Sequence, residues 1–197
     1  MITQDTITFK TVDTTDDYIL ISGYANKYVT SGEAVVDMEG TIISPAGIDL
    51  SRFEKNPIIL YEHVSGASVG RATVAEVRED GLYLEAKIFK DIDPIVYAKV
   101  KNGVVNTMSV GMIPTDGYWS DVFEAYVITE CQLFEVSLVD IPSNEDSVIE
   151  HVQLCDSNEC TMVRSVSKEA ESKLKAKAGR DRDKAMIRSV VEKLLVQ

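Results

Sequence analysis

Apolar residues along this chain recur in short, mostly alternating runs, so the body is predicted to be built from β-strands. Residues 6–12, 18–25, 57–61, 68–77 and 82–89 are rich in β-branched and aromatic side chains and are bounded by Gly, Asp, Asn or Pro. Asp80-Gly81 falls between the last two, a dipeptide that favours the backbone of a tight hairpin. Residues 107–113 and 122–139 read as a further antiparallel pair closed by a turn around Asp116-Gly117. Strict alternation across 132–139 puts Leu133, Glu135 and Ser137 on one face and Phe134, Val136 and Leu138 on the other.

One segment changes period. Asp93 is placed to cap a helix, Pro94 suits its first position and Gly103 its end, with Ile95, Val96, Ala98 and Val100 as the apolar side. Near the C-terminus Met186, Val190 and Leu194 recur every fourth residue beside Ile187, Val191 and Leu195, which predicts a second, amphipathic helix. Gly179-Arg180-Asp181 marks the break before it, with Asp181 or Asp183 as cap. The expected fold class is α+β, mainly β: an antiparallel, barrel-like body with one inserted helix and a helical C-terminal tail.

Charge divides the chain in the same place. The 197 residues carry a formal charge of −12. Residues 1–163 hold 10 basic and 27 acidic side chains, a net of −17, and residues 164–197 hold 10 and 5, a net of +5. We therefore expect a domain over 1–160 and a basic helical tail over 161–197. The acidity of the body argues against a protein that binds nucleic acid with its whole surface. Cys131, Cys155 and Cys160 form an odd set without metal-ligand spacing, and two histidines offer little for zinc, so no metal or cofactor is expected and the compartment reads as reducing. No apolar run reaches the length of a membrane span, and the first ten residues lack the shape of a secretion signal.

Three residues are candidates for chemistry. His63 follows the run Ile58-Ile59-Leu60-Tyr61, at the end of an expected strand, where an imidazole can accept and return a proton. From the residues alone it reads first as a hydrogen-bonded surface or core histidine. Ser109, in Asn106-Thr107-Met108-Ser109-Val110-Gly111, opens a strand directly after the helix, with Gly111 allowing close approach of a substrate. Serines in strands are common, and Thr107 stands where a hydrolase elbow has its first glycine. Glu135, flanked by Leu133, Phe134, Val136 and Leu138, is either an ordinary solvent-facing glutamate or a half-buried one that needs a partner such as an imidazole N–H.

Taken in order, the segments carry more than each does alone. His63, then Ser68-Val69-Gly70-Arg71, Asp80-Gly81-Leu82, Ser109-Val110-Gly111-Met112, Phe134-Glu135-Val136-Ser137-Leu138-Val139 and Ile141-Pro142-Ser143-Asn144 resemble the tailed-bacteriophage prohead protease family. Ser22-Gly23-Tyr24-Ala25, Asp37 and Ser44-Pro45-Ala46-Gly47 fit its opening, and the resemblance spans roughly residues 20–150. It implies a serine endopeptidase similar in fold to the herpesvirus assembly protease, with Ser109 as nucleophile, His63 as general base and Glu135 as third member. His151 and Asp140 are the alternatives for that third place. Pro-Ser-Asn-Glu-Asp-Ser at 142–147 departs from the family, which tends to have small alanines after the proline.

The resemblance also implies major capsid and scaffold proteins as substrates, work inside the assembling procapsid in the host cytoplasm, possible self-cleavage and possible homo-oligomers. The basic tail reads as a docking or self-processing segment, or as a helix packed on the body. A catalytically silent structural component of the capsid assembly, an esterase using the same serine and histidine, and a nucleic-acid module confined to the tail are the rival readings.

Overall fold

The computed structural model describes residues 6–8, 17–156 and 160–165. Its strands are β1 (Thr6–Thr8), β2 (Tyr18–Lys27), β3 (Val29–Thr30), β4 (Glu33–Ala34), β5 (Thr41–Ile43), β6 (Ile48–Asp49) and β7 (Ile58–Tyr61). The series continues with β8 (Ser68–Arg78), β9 (Gly81–Phe89), β10 (Thr107–Ser120), β11 (Ala125–Val139), β12 (Ile149–Cys155) and β13 (Cys160–Ser165). Among the described residues there is one α-helix, α1 (Pro94–Lys101). The class is α+β and mainly β, as expected.

The principal sheet runs β10-β11-β7-β8-β9-β2-β12-β13. It is mixed, because β11 takes β5, β6 and β7 as parallel neighbours. The wholly antiparallel barrel expected from the pattern does not form. From His151 on, both edges of β12 are occupied, by β2 and β13, so the chain at the start of β10 meets only the first residue of β12 and the segment leading into it. That meeting consists of one bridge, Thr107 to Val148, with Met108 N–H donating to Ser147 O at 2.9 Å and Ile149 N–H to Asn106 O at 2.8 Å.

Local signals are met where neighbours do not override them. The Asp93 carboxylate accepts from the N–H groups of Ile95 (3.0 Å) and Val96 (2.9 Å), Pro94 opens α1, and Gly103 past its end has φ of 70°. The buried side of α1 is narrower than predicted: Val96 and Val100 enter the core, while Ile95 is 72% exposed. The β8–β9 hairpin forms with Arg78 opposite Gly81, so Glu79-Asp80 are its two turn residues. Asp116-Gly117, by contrast, is not a turn. It sits inside β10 at two register shifts, and the chain reverses after Ser120. Gly117 is needed there for close approach, since a Cβ would stand 2.6 Å from the Val127 carbonyl oxygen.

The core lies on one face of this sheet. Ile19, Ile21, Ile59, Leu82, Leu84, Ile88, Met108, Leu133 and Leu138 are fully enclosed, each contributing about 1.5–3 kcal/mol by leaving water. Cys155 and Cys160, directly opposite across β12 and β13, are joined as a disulfide, which the expected reducing compartment did not point to. The helical tail expected over 161–197 does not start as a helix, because its first residues pair with β12 as β13; the rest of it lies outside the described residues. Among the described residues no helix is long and apolar enough to cross a membrane.

Candidate active site

The site begins with a break in alternation. Gly111 pairs with Glu135 and Met112 with Leu133, so Phe134 has no partner on β10 and forms a bulge. Strict alternation therefore fails at this point. Leu133 joins Val136 and Leu138 in the core, Phe134 turns outward at 40% exposure, and Glu135 and Ser137 face the opposite side of the sheet. Ser109 stands opposite Ser137, and Gly111 opposite Glu135, so this second face carries serine, glycine, glutamate and serine in one square.

His63 reaches that face from the end of β7. Glu62 and His63 both have positive φ, 54° and 57°, and Val64 N–H donates to Tyr61 O at 3.1 Å, a tight turn with a left-handed pair at its centre. Side-chain-bearing residues in this region cost about 1–3 kcal/mol each. The surroundings hold them there: Glu62 N–H donates to Leu138 O at 2.9 Å, Asp140 N–H to Glu62 Oε1 at 2.6 Å, and His63 N–H to Ser137 Oγ at 3.1 Å. The result aims the imidazole at Glu135, with Nδ1 2.7 Å from Oε1.

Glu135 is 4% exposed and both its oxygens are occupied, Oε2 accepting from Ser137 Oγ at 2.7 Å. A buried carboxylate held this way avoids the large cost of an unpaired charge. Ser137 is wholly buried and is the residue that sequence reasoning left without a role. Its single hydroxyl donates to the glutamate and accepts from the backbone of the histidine, tying the two together. Gly111 also gains a stronger reason than substrate approach, because a Cβ there would lie 2.2 Å from Glu135 Oε1.

Ser109, His63 and Glu135 line one cleft of about 1100 Å³. The structure thus brings all three predicted residues to the same place, although no hydrogen bond joins Ser109 to His63. The two alternatives for the third position go elsewhere. The Asp140 carboxylate accepts from Tyr61 Oη at 2.9 Å and lies 3.6 Å from Lys99 Nζ. His151 lies on β12 opposite Ser22 and Ser165 and does not line the cleft. Cys131 offers no thiolate: burial, aided by the Asp49 charge, pushes its thiol up to about 11. Among the described residues no cluster of His, Cys, Asp and Glu is suited to a metal ion.

Comparison with known proteins gives this arrangement its family. The model of the Caudovirus prohead serine proteases matches residues 5–161, and the chain belongs to that family. The "Prohead protease" of Escherichia phage T5 is 36% identical over 98 residues, 50% of this chain and 47% of that protein. The "Probable capsid maturation protease" of Lactococcus phage p2 is 30% identical over 121 residues, 60% of this chain and 66% of the other. The chain thus spans from about half to just under two thirds of these relatives. Among solved structures, KSHV protease superposes with a TM-score of 0.41 at 10% identity, covering 88% of this chain and 93% of that one.

Proposed function

We propose that this chain is a serine endopeptidase of procapsid maturation, with Ser109 as nucleophile, His63 as general base and Glu135 as the group that orients and charges-balances the histidine. The observation that carries this reading is the 2.7 Å contact between His63 Nδ1 and the buried Glu135 carboxylate, on the sheet face and in the cleft that also hold Ser109. The contact fixes the tautomer: with Nδ1–H donated to Glu135, Nε2 is the free basic nitrogen.

In the first step Ser109 Oγ attacks a peptide carbonyl carbon and its proton passes to His63 Nε2. The imidazolium forms against the Glu135 carboxylate. Collapse of the tetrahedral adduct breaks the C–N bond, and His63 returns the proton to the departing amine. Water then adds to the acyl-serine, giving a proton to His63, and the carboxylic acid leaves as Ser109 recovers its hydrogen. Closing the gap between Ser109 and His63 falls to substrate binding, as catalytic hydrogen bonds are often loose in free enzymes.

Family membership supports capsid-related substrates, and we assign these as the major capsid and scaffold proteins, cut inside the procapsid in the host cell, with self-cleavage as a further reaction. Residues 1–165, through β13 and so five past the expected boundary at 160, would be the peptidase domain and 166–197 a basic docking or self-processing segment. The experiment is labelling with a small fluorophosphonate followed by peptide mapping. Modification at Ser109, abolished by Ser109→Ala in a protein of unchanged melting temperature, is the expected result. Modification at another serine of the cleft, such as Ser65, or none at all, overturns the assignment and favours a catalytically silent capsid component.

A further inference from the structure

Ser109 and His63 share the cleft but are held by different parts of the chain, and no hydrogen bond joins them. Ser109 follows α1 on β10, and His63 follows β7. Lys99 of α1 reaches both approaches. Its backbone carbonyl accepts from Val104 N–H at 2.8 Å and Val105 N–H at 3.3 Å, which pins the chain running from α1 into β10. Its Nζ donates to Tyr61 Oη at 2.5 Å, two residues before His63.

The contact at Tyr61 continues to the histidine turn. Tyr61 Oη donates to Asp140 Oδ1 at 2.9 Å, and Asp140 Oδ2 lies 3.6 Å from Lys99 Nζ, so the three groups close a triangle. The backbone N–H of the same Asp140 donates to Glu62 Oε1 at 2.6 Å, gripping the residue next to His63. Asp140 directly follows β11, the strand of Glu135 and Ser137, and Thr107 at the start of β10 donates through Oγ1 to Val139 O at 2.7 Å. From these contacts we infer that Lys99 is a positioning residue of the peptidase, a bridge that sets the spacing between Ser109 and His63.

Stability does not account for the bridge. The Lys99 and Asp140 side chains are 32% and 54% exposed, and ion pairs at such places contribute little. Val96 and Val100 already anchor α1 in the core. The histidine turn, by contrast, needs support, since Glu62 and His63 both hold left-handed backbone. The donor pattern explains why lysine serves here. An ammonium group only donates, so Tyr61 accepts from it and turns its own proton toward Asp140. Methionine would fill a similar volume and leave the phenol without that direction. A displacement of about 1 Å in a catalytic group can cost about 10²-fold in rate.

This inference rests on the peptidase reading, and one set of measurements separates the two. Lys99→Met, Tyr61→Phe, their double variant and Lys101→Met are compared with the wild type by the rate at which a small fluorophosphonate labels Ser109. Lys101 is exposed on the same helix, so its replacement removes the same charge as a control. Lys99→Met is expected to slow labelling about tenfold at a nearly unchanged melting temperature. On a peptide that the wild type cleaves, the loss should fall on kcat, with KM within about twofold. Tyr61→Phe should lose a similar amount, the double variant little more than either single one, and Lys101→Met no more than about twofold. A folded Lys99→Met protein of wild-type rate, losses that multiply in the double variant, or an equal loss in Lys101→Met overturns the positioning role. Should Lys99→Met not fold, a folded Tyr61→Phe protein of wild-type rate does the same. A wild type that the fluorophosphonate does not label at Ser109 overturns the peptidase reading and the role with it.

Discussion

Gly111 and Glu135 are opposite each other across the β10–β11 ladder, and the carboxylate occupies the space where any side chain at 111 would begin. Glycine at this position is a condition for the His63–Glu135 contact. Gly111→Ala should therefore behave as a mutation of the glutamate. We expect labelling of Ser109 to slow by about 10²–10⁴-fold, as in serine hydrolases whose histidine loses its orienting carboxylate. Glu135→Gln should cause a similar loss, and the double variant should be little worse than either single one, because both remove the same interaction. Losses that multiply would refute the coupling.

Ser137 makes a different prediction, since it is wholly buried and does not line the cleft. In Ser137→Ala the His63 N–H and Glu135 Oε2 both lose a partner in a buried place, which should lower stability by about 1–3 kcal/mol. A purely structural serine would stop there. A positioning residue also lets the imidazole drift, so kcat for a cleaved peptide should fall about 10–100-fold, with KM close to unchanged. Steady-state kinetics on the folded variant decide the matter: unchanged kcat would reduce Ser137 to a packing role.

What could be read from the sequence divides by the distance over which each feature is determined. The α1 cap at Asp93 and the hairpin at Asp80 rest on neighbouring residues, and both were legible. The turn expected at Asp116-Gly117 was not, because that dipeptide serves equally as a strand irregularity when a partner strand runs past it. Barrel closure failed for a related reason: nothing local to residues 149–155 announces that both edges of that strand are taken. His63 and Glu135 are 72 residues apart, and their pairing was legible only through resemblance to a family. The bulge that aims Glu135 had a faint local sign in the adjacent apolar pair Leu133 and Phe134, where strict alternation already falters. Ser137 carries no local sign of its role, because its partners His63 and Glu135 come together only in the fold.

On the proposed reading the basic C-terminal segment is expected to be separable from this chemistry. Among the described residues the sheet runs through β13, which ends at Ser165. Removing residues 166–197 should leave fluorophosphonate labelling of Ser109 within about twofold of the full chain, an effect no larger than that of a surface change. Incorporation into procapsids should fall, measured by the amount of protease recovered with assembled shells. Equal recovery of the truncated and full chains would remove docking from the roles of this segment.

The hairpin end of the β8–β9 pair holds two groups that make stability depend on pH. Burial alone would raise the Asp80 carboxyl, but hydrogen bonds from Lys27 at 2.6 Å and Tyr24 at 2.8 Å outweigh it and hold the group below the usual carboxylate range. Its contribution to stability is thus present above the unfolded-state value and is lost as pH falls through the depressed folded one. On the same contact, burial first and the Asp80 hydrogen bond second push Tyr24 up from 10.0 to about 12. That contribution is complete below pH 10 and disappears as pH rises toward 12. Urea unfolding across the pH range should show both declines in the wild type. Asp80→Asn should lose stability near neutrality, where the ion pair is gone, and show a shallower decline in acid. A variant whose acid limb matches the wild type would mean that other carboxylates govern it. Such a match would also leave the Tyr24–Lys27–Asp80 cluster with packing alone: Lys27 Nζ lies 3.3 Å from the centre of the Tyr24 ring, a contact that Asp80→Asn leaves in place.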